Sequence, residues 1–173
     1  MKKLFAILMT LCLFVSGAAL AEAAEEVNWS DVAEVIEASG VNGDFHTFDE
    51  IAVKIWIPEG LEPVELTQED VDAGYIGYFQ NEEAALAVVY VDVDGASIED
   101  YANSLAGMED VENIAMLNIN GLQGVRYQLP EKDSLNIAFA TEAGYILEVT
   151  MAPLSAEGAD VVWGVVGASI QPE

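Results

Sequence analysis

The sequence predicts an α+β protein: an antiparallel β-sheet with helices packed on both of its faces. Three observations carry this. Ile51, Val53, Ile55 and Ile57 alternate with Ala52, Lys54 and Trp56, the period of a strand. Four strand-length runs between Ile114 and Met151 follow one another through short turns, which join antiparallel neighbours. The unbroken apolar run Ala84 to Val91 reads as a strand covered on both faces, so helices are expected on each side of the sheet.

The chain opens on an export leader. Lys2 and Lys3 precede the apolar stretch Leu4 to Val15, which is too short to span a bilayer, and Ala19-Leu20-Ala21 fits a signal-peptidase site. Residues 1–21 are expected to be removed, placing the rest outside the cytoplasm: periplasmic, cell-surface associated or extracellular. Cys12, the only cysteine, lies inside the leader without the small residues of a lipobox before it. Residues 22–27 are expected to be a mobile acidic N-terminus, and residues 28–173 a single α+β domain.

Asn28 can cap a helix with Asp31 as its partner, and Trp29, Val32, Ala33 and Ile36 recur at helical spacing up to Gly40. Asn28-Trp29-Ser30 is formally a glycosylation sequon, but the short Lys-Lys leader is of bacterial type, which favours the capping role. Val41 to Asp44 reads as a turn and Phe45 to Phe48 as a short strand. Leu61 to Gly74 reads as an irregular, solvated connection with room for one helical turn. Tyr75 to Gln80 is a strand that turns at Asn81-Glu82-Glu83. Ser97 and Asp100 form a capping box before the apolar stripe Ile98, Tyr101, Ala102 and Leu105.

The four closing strands are Ile114–Ile119, Leu122–Leu129, Leu135–Thr141 and Tyr145–Met151. Asn120-Gly121 between the first two is a strong hairpin signal. The turn after the third is Glu142-Ala143-Gly144. Ser155 is the expected cap of a last helix carrying Val161, Val162, Val165, Val166 and Ile170. Its glycines weaken a helix but let it lie close to a sheet.

This order resembles the PsbP-like fold, an α-β-α sandwich shared by a photosystem II extrinsic protein, a Ran-release factor and many small secreted bacterial proteins of unknown role. The resemblance rests on Ile55-Trp56-Ile57-Pro58-Glu59-Gly60, on Asn118-Ile119-Asn120-Gly121 leading to Gly124-Val125-Arg126-Tyr127, and on the closing Ala168-Ser169-Ile170. It covers about Thr47 to Gln171. It implies a non-enzymatic binding or assembly protein. No photosystem-binding or Ran-binding residue of the family maps onto this chain.

Charge excludes one class outright. With 31 Asp and Glu against 5 Lys and Arg and a formal net charge of -26, the chain lacks the basic surface that nucleic acid requires. Leader removal would leave only Lys54, Arg126 and Lys132 as bases. One histidine, His46, rules out a multi-histidine metal site, and neither a G-x-S-x-G elbow nor a phosphate loop is present. His46 reads as a half-exposed strand residue. No second apolar run is long enough for a membrane span.

The expectation is therefore a secreted, acidic, non-enzymatic domain that binds a protein or cell-envelope component. A weak calcium-binding module is the alternative, because Asp92, Asp94 and Asp100 supply oxygen ligands densely, though in no EF-hand register. A small hydrolase is a more distant one. Lys54 and Trp56, on one face of their strand, are the candidate partner-binding pair, against the reading that Trp56 packs beneath a helix. Arg126 is expected to pair with a carboxylate. No cofactor beyond weakly held calcium is expected.

Overall fold

The computed structural model describes residues 24–39, 41–141 and 143–173. The expected leader with Cys12, residues 22 and 23, the helix-ending Gly40 and the turn residue Glu142 lie outside the described residues. The strands are β1 (Glu25–Val27), β2 (Gly43–Phe48), β3 (Val53–Pro58), β4 (Glu62–Pro63), β5 (Tyr75–Gln80), β6 (Ala85–Val91), β7 (Glu112–Ile119), β8 (Leu122–Leu129), β9 (Ser134–Ala140), β10 (Ile146–Ala152) and β11 (Gln171–Pro172). The helices are α1 (Trp29–Ser39), α2 (Gln68–Asp72), α3 (Ile98–Leu105) and α4 (Ala159–Ser169).

Eight strands form one sheet in the order β1-β7-β8-β9-β10-β6-β5-β4, and three form a second in the order β11-β3-β2. The expected meander is there as β7 to β10, antiparallel throughout. One face of the large sheet carries Leu117, Ile119, Ile137, Phe139, Leu147 and Val149. It shares a core with α4, α1 and the smaller sheet. The opposite face carries Val125, Tyr127, Ala138 and Ile146 beneath Ile98, Ala102 and Leu105 of α3. The architecture is thus α+β with helices on both faces of the principal sheet, one of those layers being shared with a second sheet.

Several local expectations are corrected. The acidic N-terminus is not loose at Glu25–Val27, which pair in parallel with Leu117–Ile119. The Glu26 carboxylate accepts from Asn118 Nδ2 at 3.1 Å, the Val27 carbonyl accepts from the Asn120 N–H at 2.9 Å, and Val27 packs on the main core. Gly43 and Asp44, expected in a turn, belong to β2. The third strand starts at Val53 rather than Ile51, because Asp49–Ile51 form a 3-10 turn and Ala52 turns left-handed at φ 50°. The supposedly irregular connection holds β4 and α2, whose capping box pairs Thr67 with Asp70. Only the first half of β6 is covered on both faces: Leu86, Ala87 and Val88 are buried, but Tyr90 is 40% exposed.

Ser155 does not cap the last helix. Its N–H and hydroxyl both donate to the Asp133 carboxylate, and α4 starts four residues later, after Gly158. The close approach expected of the glycines is realised at Gly167. A Cβ placed there would meet Cδ1 of Ile137 at 2.4 Å.

Candidate functional site

A broad groove lies at one end of the smaller sheet. The β3–β4 turn builds it: Gly60 takes φ 95°, the Leu61 N–H donates to the Pro58 carbonyl, and the Glu59 N–H donates back to the Asn42 carbonyl. Gly43 admits no side chain, since a Cβ would lie 2.4 Å from the Ile57 carbonyl oxygen and 2.5 Å from the Trp56 ring. Trp56 can therefore fold across the strand. Its N–H donates to Ser169 Oγ at 2.9 Å, fixing β3 against α4.

The groove has two halves, of about 810 Å³ and about 520 Å³, joined along Val41, Asn42, Pro58, Glu59, Gly60 and Leu61. Phe45, His46, Trp56, Pro63 and Phe79 continue the first half; Ala84, Pro153, Val162 and Trp163 continue the second. The aromatic groups hold one another in place. Phe45 meets Trp29 edge-on at 5.1 Å, and His46 lies 4.8 Å from Phe48 and 5.1 Å from Phe79. Trp163 Nε1 donates to the Pro153 carbonyl at 2.9 Å. Asp44, Glu59, Glu83 and Glu157 bring carboxylates to this lining, and among the described residues no lysine or arginine lines it.

A second, smaller cleft of about 200 Å³ lies beneath α4, floored by Leu117, Ile119, Leu135 and Ile137. Arg126 and Asp160 reach it. Burial pushes the Arg126 pKa down, and the charge of Glu25 works against that shift. Burial raises the Glu25 carboxyl in turn, opposed by Arg126. Glu25, on β1, is thus one carboxylate whose charge acts on Arg126.

On the α3 side of the sheet, a polar cluster interrupts the apolar packing. Tyr101 OH donates to Glu148 Oε2 at 3.0 Å, and Tyr127 OH donates to the same oxygen. Thr150 Oγ1 lies 3.2 Å from Glu148 Oε1 and 2.9 Å from Asn136 Oδ1, and Asn136 Nδ2 donates to Ser134 Oγ. Burial, then the carboxylate beside it, pushes the Tyr101 pKa up to about 12, and the same causes raise Tyr127. The shared carboxylate ties Tyr101 of α3 to β8 and β10. The sequence signal was available: Glu148 and Thr150, like Ser134 and Asn136, recur at alternate positions of otherwise apolar strands.

The residues singled out from sequence are dispersed. Asp92 Oδ1 accepts from the Asp94 N–H at 3.2 Å within a turn, while Asp100 Oδ2 accepts the Ser97 N–H and hydroxyl as the helix cap. No group of three or more His, Cys, Asp or Glu side chains converges among the described residues. Trp56 is 4% exposed, with its ring 6.5 Å from Trp29 of α1, so it offers its edge only to the groove. Lys54 stands over the exposed ring of Phe45 at 5.3 Å. The groove itself was not anticipated, because its walls come from five separated segments. No helix among the described residues is long and apolar enough to cross a membrane.

The eight-stranded sheet with α3 on one face and α4 on the other places the chain in a known structural class. The solution structure of cyanobacterial PsbP (CyanoP) from Synechocystis sp. PCC 6803 is similar over 92% of this chain and 99% of its own, with a TM-score of 0.51 and 11% sequence identity. The chain has the PsbP-like fold. No family model and no curated protein matches its sequence.

Proposed function

We propose that this chain is an exported, non-catalytic binding module whose contact surface is the aromatic groove between the smaller sheet and the start of α4. The groove carries the reading: an open concavity in which aromatic and apolar groups lie beside convergent polar ones is the geometry of a binding site. The PsbP-like fold supports it, since the resemblance implies binding or assembly rather than turnover, and the leader read at residues 1–21 supports export. The test uses the leader-free protein as bait on the envelope and medium of the producing cell, beside Leu61→Arg, which sets a long charged side chain at the junction of the two halves. Circular dichroism first establishes that the variant folds. A component captured by the unaltered protein and lost by the variant supports the reading. Equal capture by both refutes it.

A further inference from the structure

We infer that the groove takes a cationic, extended peptide segment of a partner protein, with Lys or Arg side chains set against its rim and apolar side chains on its floor. This rests on the groove being the contact surface. Acidic residues are abundant in this chain, so their presence at one place means little alone. What distinguishes this place is their arrangement around an apolar floor. Asp44 comes from β2, Glu59 from the β3–β4 turn, Glu83 from the turn before β6, and Glu157 from the approach to α4. All four are exposed. Four separate segments thus bring negative charge to one rim, with no lysine or arginine among the described lining to offset it.

Charge complementarity then selects the occupant. The chain carries 31 acids against 5 bases, so its field repels an anionic segment and steers a cationic one. The aromatic floor supplies what an exposed ion pair does not, a surface for apolar side chains. An extended backbone suits the site because β2 is the outer strand of the smaller sheet, with no strand among the described residues paired on its far edge. A segment lying along it can present alternate side chains to rim and floor.

The experiment uses labelled peptides of equal length built from Lys and Leu, from Ser and Leu, or from Glu and Leu, with binding read by fluorescence anisotropy. The Lys–Leu peptide is expected to bind saturably and to weaken as salt rises. The triple variant Glu59→Gln, Glu83→Gln, Glu157→Gln should weaken it roughly tenfold, three exposed charge contacts together amounting to about that ratio. A control triple, Glu109→Gln, Asp110→Asn, Glu112→Gln, makes the same change in net charge away from the groove and should have much less effect. Equal loss in both triples, or equal affinity for the Ser–Leu peptide, overturns the inference. If the Lys–Leu peptide fails to bind while Leu61→Arg still sheds the captured component, this inference falls and the groove remains the contact surface. If Leu61→Arg sheds nothing, both fall.

Discussion

The Asn120 side chain accepts from the Trp29 N–H at 2.7 Å and donates to the carbonyls of Ala168 and Ile170, both at 2.8 Å. A residue whose spacing marks only a hairpin therefore also joins the start of α1 to the end of α4. Its left-handed φ of 49° and that of Gly121 at 90° are those of a type I′ turn. Asn120→Gly keeps the turn and removes three hydrogen bonds, so urea denaturation should show a loss of about 2–3 kcal/mol. Gly121→Val tests the turn alone, since nothing lies within 4 Å of a Cβ there. It should lose about 1–2 kcal/mol through backbone strain, and an unchanged midpoint would refute the assignment. The tyrosines around Glu148 yield a pH test. A phenol whose folded pKa is raised stabilises the fold fully below its ordinary value of 10.0, and that stability is lost as pH climbs towards about 12 for Tyr101. Tyrosinate absorbance should show Tyr101 and Tyr127 lagging the other tyrosines. Glu148→Gln should bring Tyr101 down, by removing the neighbouring charge.

Helix α4 lies against the sheet through Gly167, and the atom that would clash with a side chain there is the far end of Ile137. Alanine ordinarily stabilises a helix interior by about 1 kcal/mol over glycine. Gly167→Ala should forfeit that gain, and adding Ile137→Val, which removes Cδ1, should recover it. A thermal-denaturation cycle with no coupling between the two would contradict the close approach. Elements whose cause is local were legible in the sequence. The α3 capping box is a matter of Ser97 and Asp100 three positions apart, and the β7–β8 hairpin of two turn residues. Elements whose cause is distant were not. β1 is a strand because Asn118, Asn120 and the core receive it, partners remote in sequence. The separation of β2 and β3 into their own sheet is set by α4 and β11, while their alternation reads the same in either sheet. The Thr67–Asp70 box was local and was obscured by the acids around it.

For the molecule as a whole, carboxylates dominate the electrostatics, and their repulsion is greater in the compact state than in an expanded chain. Raising monovalent salt from about 0.01 M to about 0.1 M shortens the screening length from about 30 Å to about 10 Å and should raise the melting temperature, potassium serving as well as sodium. A flat response would refute this. Calcium at constant ionic strength separates the rival reading: saturable stabilisation abolished by Asp92→Asn or Asp94→Asn would establish a metal site in the turn. Acid acts through two groups of opposite sign. Glu25, raised on folding, contributes stability below its ordinary 4.5 that is lost as pH rises through its folded value. Asp70, lowered by the Thr67 hydrogen bonds, contributes above its ordinary 3.8 and loses this as pH falls through its folded value. Melting temperature should therefore rise on mild acidification and fall again below about pH 4.

The smaller sheet is completed from the far end of the sequence. β11 pairs Gln171 with Lys54, and the Glu173 N–H donates to the Ala52 carbonyl. Strand β3 therefore has only β2 beside it until residues 171–173 have been made. Contacts of such long sequence separation slow folding, because the intervening chain must be ordered before they are gained. Closure of the smaller sheet is thus expected among the last events of folding, after the chain between β3 and β11 has been ordered.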